Sequence, residues 1–214
     1  MGFADSDWED TLPSYLLAED KTRLKGMLSQ FFVPDQKKDE IRYENFYLRI
    51  PQCAYFRQGD LLHSLPICDW DTSKQCYTTG FAPVVIISNS CDVYPKDENL
   101  LDKEALFAHL IPVKSFLTDL ESNQYTPEKI ESIYNNLKRQ AYSNLFYLPP
   151  NHLDGQEHIV FFDKTYWHPS ENLYGKMENI ENERFLSLDQ FGFYLFICKL
   201  SYHFCRVPEE NERT

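Results

Sequence analysis

The side chains best suited to chemistry cluster where one short apolar run ends. Val84-Val85-Ile86-Ile87 is followed at once by Ser88-Asn89-Ser90-Cys91-Asp92, and His109 follows on the next apolar run, Leu106 to Val113. A cysteine attacking, a histidine taking its proton and a carboxylate orienting the ring would make a thiol hydrolase of Cys91, His109 and either Asp92 or Asp60. The plainer alternative packs Cys91 as a small apolar group and lets Asp92 form a turn through its carboxylate. No local cysteine-protease signature surrounds Cys91, so the turn-forming alternative is preferred. Asp60, Ser88, Asn89, Ser90, Cys91 and Asp92 remain the candidate binding residues, because loops at strand ends commonly carry function.

Other polar groups give weaker signals. Asp60, Asp69, Asp71, Asp92 and Asp163 have no spacing that requires convergence on a metal. His152, His158 and His168 lack both helical i, i+4 spacing and any zinc-type pattern. The six cysteines include no Cys-x-x-Cys pair and are expected to be reduced thiols in a cytosol. Neither a metal nor a cofactor is expected. With 7 glycines, the chain is not a glycine-rich phosphate cradle.

The elements that must hold these residues follow from periodicity. Val84 to Ile87 is short, β-branched and bounded by Pro83 and Ser88, as a doubly buried strand should be. Further strands are expected near 60–67, 75–79, 83–88, 105–113, 145–148 and 158–163, with strand or extended chain over Tyr43 to Phe56. Apolar spacing predicts helices over Leu16 to Phe32 and over 126–142, the second opened by Thr126-Pro127-Glu128 as cap, first helical residue and favourable acid. A third helix is expected from Ser187, whose Ser-Leu-Asp-Gln sequence fits a capping box ending at Gln190. Its two apolar stripes mean burial or a docked partner. Phe193, Ile197 and Phe204 are the candidate partner surface. Residues 1–12 and 209–214 are expected to be loose ends around one domain spanning 13–208, with 169–183 an exposed loop.

Composition narrows the function classes. Of the 214 residues, 43% are hydrophobic and 25% charged, ordinary values for a globular domain. A net charge of −12 disfavours broad electrostatic capture of nucleic acid, although a local basic patch would still permit it. No apolar run approaches the ~20 residues that span a bilayer. The acidic start lacks the basic and apolar stretches of a signal peptide, so a cytoplasmic location is expected.

Gly59-Asp60, Pro83-Val84-Val85-Ile86-Ile87-Ser88-Asn89 and Leu110-Ile111-Pro112-Val113 resemble, in order and spacing, motifs of the MazF/PemK toxin family. The resemblance covers about a quarter of the chain, each motif being weak alone. It implies an α+β fold built on a small SH3-like antiparallel barrel, here decorated by about three helices. It also implies descent from endoribonucleases of toxin–antitoxin systems. The family's catalytic arginine would fall at Ala82, and its catalytic serine or threonine near Ser115, one residue displaced, beside Lys114. RNA cleavage needs a base for the 2′-hydroxyl and a cation for the phosphorane. Lys114 lacks the fork that arginine would offer there. The expectation is therefore a non-catalytic interaction or regulatory protein with a protein partner, in a bacterial toxin or anti-phage defence setting. The alternatives are a diverged endoribonuclease using Lys114 and Ser115, or the thiol hydrolase of Cys91 and His109.

Overall fold

A computed structural model describes residues 17–32, 43–48, 53, 55–71, 73–93, 104–170, 173 and 183–205. In chain order these form α1 (Ala18–Phe32), β1 (Asp60–Asp71), β2 (Cys76–Ile86), α2 (Ser90–Val93), β3 (Glu104–Pro112), α3 (Val113–Ser122), α4 (Pro127–Lys138), β4 (Leu145–Leu148), β5 (His158–Pro169), β6 (Arg184–Ser187) and α5 (Gln190–Cys205). The fold is α+β. All six strands form one antiparallel sheet in the order β4-β5-β3-β2-β1-β6, and no ladder joins β4 to β6 among the described residues.

Strand alternation sends successive side chains to opposite faces. Leu61, Val85, Ala108, Leu110, Phe146, Val160 and Phe162 pack on Phe191, Leu195, Phe196 and Leu200 of α5. The helix is therefore a core element, and α1 lies against it, with the Arg23 guanidinium 3.9 Å from the Phe191 ring centroid. The opposite face carries two smaller clusters. Leu62, Val84, Ile86, Ala105 and Phe107 gather with Phe56, Val93 and Leu173, while Leu145, Tyr147 and Ile159 sit under α3 and α4.

Three ladders carry a register shift, one of them the short β1–β6 ladder between Leu61 and Leu62, and the other two bend the long strands. The register slips in β1 between Leu62 and Leu65, and in the β3–β5 pair between Ala108 and His109. Beyond these bulges the distal halves of β1 and β5 approach one another, although β2 and β3 separate them in the sheet. The Tyr166 hydroxyl donates to Asp69 Oδ1 at 2.7 Å, and His168 Nε2 lies 2.6 Å from the Pro66 carbonyl oxygen. In a flat sheet three strand spacings would hold those backbones roughly 14 Å apart. The sheet is thus coiled over the Phe107 face, as bulges allow.

Several sequence expectations need correction. The strands expected at 75–79 and 83–88 are one strand, since Pro83 falls between the paired Ala82 and Val84, opposite the β1 bulge, where it has no register partner. The run expected to be strand through 113 stops at Pro112, where α3 begins, so there are five helices among the described residues rather than three. Ser187 does not cap the last helix. It ends β6, and Asp189 Oδ1 instead accepts from the Gln190 N–H at 2.7 Å. The expected Thr126 cap is observed, accepting from the Lys129 N–H. The expected ends at 1–12 and 209–214 lie outside the described residues, as do the Met27, Leu28 and Phe31 side chains of the first predicted helix.

Two glycines are demanded by geometry. Gly59 has φ +84 in the turn that opens β1, and its N–H donates to the Ile86 carbonyl. At Gly192 a Cβ would fall 2.6 Å from the Phe46 carbonyl oxygen, where segment 43–48 crosses the start of α5. Gly192→Ala is expected to cost about 1–3 kcal/mol as an overpacked contact. Its urea midpoint should drop, whereas Gly26→Ala, with open space around it, should leave the midpoint unchanged or raise it.

Candidate functional site

The Ser88–Asp92 turn is stitched to its neighbours by its own polar side chains. Ser88 Oγ accepts from the Leu106 N–H at 2.7 Å, and Asn89 Oδ1 accepts from the Cys91 N–H at 3.0 Å. Ser90 Oγ accepts from the Gln58 N–H at 3.0 Å, while Gln58 Nε2 donates to the Ile87 carbonyl. The turn that opens β1 and the turn that closes β2 are thereby locked together. Serine and asparagine suit this role because short polar side chains substitute for missing ladder bonds.

Asp60, placed by sequence with that turn, faces away from it into the sheet. It is 2% exposed and accepts from the Arg57 N–H at 2.9 Å, from Ser187 Oγ at 2.6 Å and from Arg184 Nη1 at 3.1 Å. Burial raises its pKa against the pull of those three donors. Arg184 also donates to the Tyr55 and Cys53 carbonyls. This buried pair ties β6 to β1 in addition to their backbone ladder, and sequence reading found only one half of it.

The proposed thiol pair is not assembled. Cys91 is exposed in the short helix α2, past the end of β2, whereas His109 stands opposite Val84 in mid-strand. His109 instead lies beside the Tyr166 ring, with centroids 6.2 Å apart, and its buried Nδ1 has no hydrogen-bond partner. Burial, assisted by the Lys164 charge, lowers its pKa below 6.5, against the attraction of Asp69. His158, also with an unpartnered buried Nδ1, is lowered by burial too.

The sign of the consequence is fixed. The unfolded chain takes up protons near 6.5 that these folded histidines refuse, so acid favours unfolding through the window below that value. The urea midpoint should fall between about pH 7 and about pH 5.5, and a His109→Gln/His158→Gln variant should flatten that slope.

The residues of the ribonuclease alternative lie on other elements. Lys114 and Ser115 are exposed and adjacent on the first turn of α3, and consecutive helical residues do not share a face. Ala82, at the position of the family's arginine, is 6% exposed and paired with the buried Leu65. Among the described residues no group of three His, Cys, Asp or Glu side chains is placed to hold a metal. No helix there is long and apolar enough to cross a membrane. Of the expected partner surface, Phe193 and Ile197 are half-buried against the main core, and Phe204 is exposed.

What sequence reading missed is the outer face of the β1–β2 hairpin. Pro66, Cys68 and Trp70 on β1 stand opposite Phe81, Thr79 and Tyr77 on β2. All six are exposed, and none carries a charge. Trp70 is 52%, Tyr77 72% and Phe81 76% exposed, with the Trp70 and Tyr77 rings 5.1 Å apart. The hairpin tip is firmly built, since Asp71 accepts from Ser73 and Lys74, which hold its carboxyl down at about 2. The signal was the alternation itself, an uncharged residue at every second position of both strands.

Comparison with protein-family models, with curated proteins and with solved structures gave no match to this chain.

Proposed function

We propose that this chain is a non-catalytic interaction protein that holds a protein partner, built on a small barrel of the SH3-like, MazF/PemK type and acting in the cytoplasm in a bacterial toxin or anti-phage defence system. The observation that carries the binding reading is the rigid, uncharged, aromatic face of the β1–β2 hairpin. Charge depletion with aromatic enrichment marks the centre of protein interfaces rather than ordinary surface. The barrel reading is supported by the coiling that brings Tyr166 and His168 of β5 onto Asp69 and Pro66 of β1.

The absence of catalysis is supported by what surrounds each motif residue. Ala82 puts a methyl group where the family's cation belongs. Lys114 and Ser115 lie on a solvent-facing helical turn. Cys91 lies in α2, past the end of β2, whereas His109 stands in mid-strand. Induced expression in a bacterial host tests this reading: growth and RNA integrity should match those of an empty-vector control. Rapid growth arrest with discrete RNA fragments would overturn it.

A further inference from the structure

The β1–β2 hairpin extends well past its neighbours. β3 pairs with β2 only through Val84, Val85 and Ile86, so from Cys76 to Pro83 the outer edge of β2 has no strand partner among the described residues. Alternate residues of that run turn both N–H and C=O away from β1, as antiparallel geometry requires. Edges of this kind are usually blunted by lysine, by an inward charge, by a bulge or by proline. Here the run Cys76-Tyr77-Thr78-Thr79-Gly80-Phe81-Ala82 has no charge, no proline and an unbroken register with β1.

Its sequence is chemically symmetric about Thr79. Tyr77 and Phe81 lie two residues to either side on the outward face, while Thr78 and Gly80 flank it on the other. Placed antiparallel to a copy of itself about a two-fold axis at Thr79, the strand sets Tyr77 opposite Phe81 twice and Thr79 opposite Thr79. Aromatic–aromatic and Thr–Thr pairs are among the favourable cross-strand combinations. Such an interface is isologous, and so it closes at two copies. The chain's net charge of −12 opposes self-association in general, but none of that charge falls on this run.

We infer that the outer edge of β2, from Cys76 to Ala82, pairs antiparallel with the same edge of a second copy of this chain, joining two hairpins into a continuous four-stranded ribbon. This goes beyond the binding reading above, since it concerns the hairpin edge and leaves the aromatic face open in both copies. The edge is about 20 Å long. A single strand edge of that length buries less than the ~800 Å² per partner of a standard complex, so the dimer is a reversible one.

Sedimentation velocity on the full chain, from about 1 to about 200 µM, should show a single chain giving way to a dimer. Thr79→Lys and Thr79→Glu each set like charges face to face at the axis and should weaken association at least ~10-fold. Thr79 is exposed, so both variants should keep the parent melting temperature. An equimolar mixture of the two should regain the dimer, because lysine then faces glutamate. A chain that stays single at every concentration would overturn the inference. So would a dimer untouched by either charge, or one that the mixture fails to restore.

Discussion

Arg184→Ala should remove about 3–5 kcal/mol of folding stability, the usual consequence of leaving one buried charge without its partner. Most domains hold only about 5–15 kcal/mol in total, so the variant should melt near or below working temperature. The reason is local. Asp60 would keep its Ser187 and Arg57 donors but lose the guanidinium, and the Tyr55 and Cys53 carbonyls would lose the same group. Desolvation already dominates at Asp60, raising its pKa even with Arg184 present. A buried pair of this kind contributes little net stability, although removing one partner alone is costly. Asp60→Asn combined with Arg184→Met should therefore cost less than the two single changes added together. Urea midpoints of the three variants and the parent check this. An Arg184→Ala midpoint equal to the parent's would contradict the description of β6.

Gln140→Ala should be nearly as damaging. β4 is an edge strand, but its Tyr147 is not left open. The Gln140 side chain pairs with it as a further strand would, Nε2 donating to the Tyr147 carbonyl at 2.7 Å and Oε1 accepting from the Tyr147 N–H at 3.0 Å. The fully buried Lys199 Nζ of α5, whose pKa burial pulls well below the usual lysine value, donates to both Gln140 Oε1 at 2.8 Å and the Gln140 carbonyl at 2.9 Å. Truncation leaves two buried backbone groups unsatisfied at about 1–3 kcal/mol each, and takes one acceptor from Lys199. The expected loss is about 3–5 kcal/mol. Because Gln140 sits at φ +58, Gln140→Gly removes the same hydrogen bonds while relieving the backbone, and should fall about 1 kcal/mol short of the alanine loss. Equal midpoints for alanine and parent would mean that water serves Tyr147 instead.

Arg184 and Gln140 are residues that the sequence did not single out, and the reasons are physical. Periodicity reports an element when many side chains repeat one choice, which is why Val84 to Ile87, the 127–138 helix and the terminal helix were legible. β6 is four residues long and follows a polar, acidic stretch, too short for alternation to register. Ser187 misled for a related reason: a serine three residues before a glutamine looks the same whether it caps a helix or donates to Asp60. Local patterns carry no information about a partner more than a hundred residues away. The helix α3 was legible in principle, since Val113, Phe116, Leu117 and Leu120 have helical spacing, but the strand before it runs straight into the helix through Pro112. In the Ser88–Asp92 segment the side chains of Ser88, Asn89 and Ser90 serve backbone groups, which no local pattern announced. The coiling of the sheet depends on two bulges, and a bulge leaves almost no trace in a single sequence.

The proposed absence of catalysis is open to a direct challenge. Purified chain incubated with total bacterial RNA, beside a Lys114→Ala/Ser115→Ala variant, should leave the RNA intact in both tubes. Cleavage by the parent that disappears in the variant would contradict the account and make those two exposed residues of α3 an active site.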